Sequence, residues 1–242
     1  MLTTFIGETL RAVGLAAHED ASNPLLHRQN RRHLDLMATL DGISDPGRPL
    51  LDCGCGDGRL LLLLHRAGWQ RLYGCDWKLP TKSHADPGSA AIQFKQCDLN
   101  GAGLTPYEDH TFATVICSEV LEHVENPAKT LRDISRVMTP DGTLILTLPN
   151  ACNVFERLYF LFTGESTRYR SERDSGPWSH ISFFTGNILH SLLDRADLEV
   201  VREGTSAMFW GGYFFFPHRT LSRSWNYSAS WVIRKKAIVD AS

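Results

Sequence analysis

The chain has 242 residues, a formal net charge of −2 and 43% hydrophobic content. That is the size and balance of one soluble globular domain with an ample core, and the near-neutral charge disfavours a large nucleic-acid footprint. No apolar run is long enough to span a membrane, and the amino terminus lacks the basic start and cleavage site of an export signal, so the cytoplasm is the expected compartment.

Residues 2–17 place Phe5, Ile6, Leu10 and Val13 at helical spacing, and a second helical pattern runs from Leu25 through Leu34, Met37 and Leu40. Residues 1–48 therefore read as a helical cap, which either covers a ligand or serves packing and homodimerisation. The segment Pro49-Leu-Leu-Asp-Cys-Gly-Cys-Gly-Asp-Gly58 then runs from an apolar strand into three glycines at alternate positions, with the leucine-rich helix 60–64 following at once. Glycine lets a backbone touch a ligand and visit positive φ, so this unit makes a socket for a nucleoside-bearing ligand at the carboxyl end of a parallel sheet. The spacing is not the dinucleotide fingerprint, and a diphosphate is not the favoured ligand.

A second strand, 71–75, ends in Asp76, and a third, 92–97, ends in Asp98-Leu99. Singly, each aspartate reads equally well as a turn or cap residue. Pro80, Pro87 and Gly88 make the intervening crossover mostly loop, leaving Trp77 either to pack on a ligand or to fill core. The fourth strand, 112–117, runs into Ser118-Glu-Val-Leu-Glu-His-Val124. Asn126-Pro127 then starts a helix to about Met138, and the turn Pro140-Asp141-Gly142 leads into a fifth strand, 143–148. Residues 49–150 form the core unit.

Residues 151–242 read as substrate-side helices, an aromatic insertion and final strands of the same domain. Helices are expected over 151–163 and 185–195, and antiparallel-type strands over 198–201 and 230–234. Arg157, Arg168, Arg170 and Arg173 cluster beside a polar loop, a solvated surface or a seat for an anionic group. Residues 208–217, Met-Phe-Trp-Gly-Gly-Tyr-Phe-Phe-Phe-Pro, either line an acceptor pocket, touch a membrane surface, or form core or a dimer contact. The six cysteines contain no Cys-x-x-Cys pair and read as buried fillers.

Asp52 stands inside the first strand, where a lone carboxylate is costly to bury, so it is expected to hold the glycine loop through backbone amides. If residues 118–124 form a helical turn, Glu119, Glu122 and His123 occupy i, i+3 and i+4 and converge on one face. Two carboxylates and an imidazole suit Mg²⁺ or another divalent cation. His180, leading into an aromatic pair before a helix, is a further candidate.

Taken in series, these motifs resemble the class I S-adenosylmethionine (SAM) methyltransferases, including the type 11/12 and ubiquinone-biosynthesis O-methyltransferase group. The resemblance implies a Rossmann-like α/β fold, a mostly parallel seven-stranded sheet flanked by helices. It implies SAM as cofactor, with Asp52, Gly54 and Gly56 at the methionine end, Asp76 on the ribose, Trp77 beside the adenosine, Asp98 and Leu99 on the adenine, and Ser118 at the pocket wall. The Ser-Glu-Val-Leu-Glu-His-Val run is similar to that of the ubiquinone-biosynthesis enzymes, whose matching residues are associated with Mg²⁺. It is also similar to that of small-RNA 3′-end methyltransferases, which add a later His. By that resemblance Glu119, Glu122, His123 and His180 are candidate metal ligands, and His123 and His180 the candidate catalytic pair. The expected reaction is O-methylation of a small-molecule or lipid-linked acceptor. An RNA or sugar-nucleotide methyltransferase, or a noncatalytic SAM-binding regulatory partner, is the alternative.

Overall fold

Alternating side-chain direction along the central strands builds this molecule. Its structure, a computed structural model, describes residues 24–79, 87–167, 180–206 and 228–237. The expected helix over 2–17, the arginines 168, 170 and 173, and the aromatic stretch 208–217 lie outside the described residues.

In chain order the elements are α1 (Pro24–Leu40), β1 (Leu50–Cys53), α2 (Arg59–Arg66), β2 (Leu72–Asp76), β3 (Ile92–Gln96), β4 (Phe112–Ser118), α3 (Pro127–Val137), β5 (Met138–Pro149), α4 (Val154–Thr163), α5 (Gly186–Asp194), β6 (Leu198–Ser206) and β7 (Ser228–Lys235). Short 3₁₀ turns occupy Pro87–Ala91 and Leu121–His123.

Leu51, Val115 and Leu144 pack into one apolar cluster, whereas their neighbours Leu50, Ile116 and Ile145 pack into another. Successive strand side chains point to opposite faces, so one sheet separates two cores. Helices α1 and α2 close one core through Leu36, Leu40, Leu60, Leu61 and Leu64. Helices α3 and α5 close the other through Leu131, Ile134, Val137, Leu189 and Leu193. Each fully buried leucine contributes about 1.5–3 kcal/mol. Gly74 lets α2 approach closely, because a Cβ there would lie 2.7 Å from Leu61 Cδ1.

The sheet order is β3-β2-β1-β4-β5-β7-β6. Strands β1 to β5 are parallel to their neighbours, and β7 runs antiparallel to both β5 and β6. This is the mostly parallel, seven-stranded, helix-flanked architecture read from the sequence. Order reverses at β1 and β4, whose carboxyl ends define the crevice where open α/β sheets bind ligands.

Two boundaries differ from the sequence reading. The Pro140-Asp141-Gly142 turn falls within β5, where Phe112 pairs with Met138 and Thr114 with Thr143. The extra residues bulge out of the ladder instead of ending a strand. Strands β6 and β7 are also longer than expected, since seven β7 residues pair with β5 and eight with β6. The Asn126 cap is as read, with its Oδ1 accepting from Lys129 N at 2.9 Å. Among the described residues no helix is long and apolar enough to cross a membrane.

Candidate active site

The glycine loop is fastened from its neighbour strand. Gly54 N and Cys55 N both donate to Cys75 O, at 2.8 and 3.0 Å, and Gly56 N donates to Asp76 Oδ2 at 2.9 Å. The loop amides are thus held by Cys75 and Asp76, correcting the expectation that Asp52 holds them. Gly54 adopts φ 82°, and a Cβ there would stand 2.3 Å from Val120 Cγ2, so the loop lies directly against the segment after β4. Asp52 is buried at the end of β1. Burial pushes its carboxyl up to about 7, opposed by Arg32 and reinforced by Asp76 and Asp57.

At the ends of β2 and β3, Asp76 and Asp98 take local backbone donors, Lys78 N at 3.5 Å and Asn100 N at 3.0 Å respectively. Each carboxylate retains lone pairs for a ligand. Trp77 is 47% exposed, which excludes the core-filling reading, and Gln96 Nε2 donates to its carbonyl at 2.9 Å. Ser118 Oγ and Thr147 Oγ1 are hydrogen bonded at 2.8 Å, tying the tip of β4 to β5.

Beyond Ser118 the chain does not form the expected α-helical turn. Glu119 takes a left-handed φ of 56°, and the following turn is 3₁₀. A 3₁₀ turn has three residues per turn, so the i, i+3, i+4 convergence fails. Glu119 instead accepts from Ser228 Oγ at 2.6 Å. Glu122, His123 and His180 do gather, with one donor atom of each lying within 4.8 Å of the others. Glu122 is fully buried, and its Oε1 lies 3.9 Å from His123 Nε2. The imidazoles of His123 and His180 meet edge to face with ring centroids 4.8 Å apart. Ile181 N and Ser182 N bond Glu122 O at 2.8 and 3.1 Å, which fixes His180 beside the turn.

These groups share one cavity of about 970 Å³. It is lined by Asp52, Gly54, Gly56, Asp76, Trp77, Asp98, Leu99 and Ser118, and also by Glu119, Glu122, His123 and His180. Sites for single small ligands span roughly 300–1,000 Å³, and this volume lies at the upper end of that range. Arg32 and His33 on α1 line the same cavity and were not singled out from the sequence. Burial and then Arg32 lower His33 to about 4, keeping it neutral. The run Arg31-Arg32-His33 on an otherwise packing-type helix was the available signal.

Glycine loop, strand-end acids and strand order together are those of the class I SAM-dependent methyltransferase fold family. The chain belongs to the methyltransferase domain family, whose sequence profile matches residues 25–203. It is 33% identical over 130 residues to the ubiquinone biosynthesis O-methyltransferase of Neisseria meningitidis serogroup A, an alignment covering 52% of this chain and 53% of that protein. The chain thus spans about half the length of the curated relative it matches. In fold it is similar to a SAM-dependent methyltransferase from Archaeoglobus fulgidus, with a TM-score of 0.59 at 16% identity over 88% of this chain and 95% of that one. It is also similar to the [4+2]-cyclase SpnF, with a TM-score of 0.62 at 17% identity over 96% and 93% of the chains. One fold thus carries more than methyl transfer, and the reaction has to be argued from the site.

Proposed function

We propose that this protein transfers the methyl group of SAM to an oxygen of a small-molecule or lipid-linked acceptor. The observation that carries the reading is that the glycine-loop acids and the Glu122–His123–His180 cluster open into one cavity. The name of the curated relative supports oxygen as the receiving atom.

In this reading Asp76 accepts both ribose hydroxyls, Trp77 covers the adenosine, and Asp98 with Leu99 meets the adenine. Asp52 faces the ammonium of the methionine moiety, and Arg32 beside it supplies a cation for the carboxylate. Gly54 and Gly56 let the backbone lie against the cofactor, and Ser118 forms the wall below the sulfonium.

Methyl transfer is an in-line displacement: an O–CH₃ bond forms as the CH₃–S⁺ bond breaks, leaving neutral S-adenosylhomocysteine (SAH). Most of the acceleration comes from orientation. The acceptor hydroxyl gives its proton to the His123–His180 pair, and the buried Glu122 carboxylate stabilises the resulting imidazolium. Alternatively, the donor set of one carboxylate and two imidazoles fits a divalent cation held by Glu122, His123 and His180, which would then serve as ligands in place of the base. Such an ion, when bound, would acidify the acceptor hydroxyl.

The test is incubation of purified protein with methyl-labelled SAM and a host-cell extract, followed by separation of lipid, small-molecule, nucleic-acid and protein fractions. Label in the lipid or small-molecule fraction is expected. Label confined to nucleic acid or protein would contradict the acceptor class. Repeating the assay with EDTA reads the contribution of a cation.

A further inference from the structure

We propose that Glu119 is the acceptor-selecting carboxylate of this cavity, held in place by Ser228 so that it reads a hydrogen-bond donor or cationic group on the acceptor. The inference rests on the methyltransferase reading for the direction of the cavity, but on independent geometry for the residue.

The backbone supplies the first reason. Glu119 sits at φ 56°, a left-handed conformation that costs a residue with a Cβ about 1–2 kcal/mol and is normally left to Gly or Asn. The strain is offset by three attachments. Glu119 N donates to Thr147 O at 3.0 Å, Ser118 is bonded to Thr147 alongside it, and Val120 fills the space above Gly54. The β4 tip is over-determined, and Glu119 lines the cavity with its carboxylate tied to Ser228.

The second reason is how that carboxylate is held. Its Oε1 accepts from Ser228 Oγ at 2.6 Å, and Ser228 is itself only 6% exposed, with Leu148 O at 3.1 Å as the alternative acceptor for the same hydroxyl. Among the described residues no hydrogen bond reaches Oε2. A carboxylate so fixed at one oxygen presents the other in a constant direction, which is what selection among ligands requires.

The third reason is placement. Asp76 and Asp98 follow β2 and β3, on one side of β1, whereas Glu119 follows β4 and is bonded to β7 on the opposite side. In the same cavity it therefore lies away from the ribose and adenine positions, three residues before Glu122 and four before His123. A negative group there favours an acceptor bearing an ammonium, amide or second hydroxyl, and disfavours one bearing a carboxylate or phosphate at that point.

The experiment uses three probes on one phenol frame: 4-hydroxybenzylamine, 4-hydroxybenzyl alcohol and 4-hydroxybenzoate. Their affinities are measured calorimetrically on the full chain, both SAH-loaded and SAH-free. The expected order is amine, alcohol, carboxylate, with about a tenfold spread between the extremes. Glu119→Gln should compress that spread to about twofold while leaving SAH affinity unchanged. Ser228→Ala should compress it partially, and Ser228→Thr should restore it, a rescue that loss of fold stability alone would not produce. A flat or undetectable series in the wild type, or an order that survives Glu119→Gln, overturns the proposal. Because the order is expected in SAH-free protein as well, absence of SAH binding would strike the methyltransferase reading and leave this test standing.

Discussion

His123 and His180 are joined edge to face, their ring planes inclined at 67°, and the backbone just after His180 is bonded to Glu122 O. A residue from the loop before α5 is thereby delivered to the turn after β4, opposite the buried Glu122 carboxylate. If this pair receives the acceptor proton, His123→Gln and His180→Gln should each lower single-turnover methyl transfer by about 10²–10⁴-fold. SAH affinity, read by calorimetry, should change little. Equal losses in turnover and SAH affinity would assign the pair to packing.

Gly54→Ala combines a forbidden φ with a Cβ 2.3 Å from Val120 Cγ2. The substitution should cost about 1–3 kcal/mol in denaturant unfolding and weaken SAH binding. Adding Val120→Ala relieves the clash but not the backbone strain, so the double variant should recover part of the stability and little of the affinity.

Asp52, with its carboxyl raised to about 7 chiefly by burial, gives a signed pH prediction. Between about pH 4 and 7 the unfolded chain holds this group ionised while the folded chain keeps it protonated. Its cost to the fold is therefore absent below about pH 4, grows through that window and is complete above it. Asp52→Asn should stabilise the ligand-free protein at pH 8, by about 4 kcal/mol as an upper bound, and have no effect at pH 4. His33, lowered to about 4 by burial and Arg32, acts with the opposite sign, costing stability as pH falls from about 6.5 to 4. His33→Asn should flatten the acid limb of the same series of thermal melts.

The six cysteines are free thiols, and Cys53 stands in register with Cys75 on one side and Cys117 on the other. Neighbouring thiols and burial raise Cys53 and Cys75, so neither is a ready nucleophile. Iodoacetamide should label Cys152 first, as the one cysteine that is not buried, with Cys53, Cys75 and Cys117 reacting only on unfolding. Intact mass against time checks the order.

The parts of the site that lie next to one another along the chain were legible in the sequence. Gly54, Gly56 and Gly58 follow a strand directly, and Asp76 and Asp98 close the next two, so strand ends alone predicted that they would meet along one crevice. The parts set by tertiary packing were not. Arg32 comes to the same cavity as Asp52 because α1 closes the apolar core that α2 also closes, an arrangement that hydrophobic spacing predicts without its polar edge. Glu119 does not join the Glu122, His123 and His180 cluster, because a left-handed residue interrupts the helical period on which their convergence was argued. Its partner, Ser228, comes from the far end of the chain through the antiparallel insertion of β7 between β5 and β6. Nothing in the local pattern around Ser228 announces that pairing.

The most direct measurement is a calorimetric titration of the full chain with SAH, repeated on Asp76→Ala. One binding site is predicted, weakened about 10–100-fold by the substitution, because a carboxylate accepting two ribose hydroxyls makes charge-assisted hydrogen bonds worth about 1.5–3 kcal/mol. No binding heat with the wild type, or an affinity indifferent to Asp76, would contradict the assignment of this cavity to a sulfonium nucleoside cofactor.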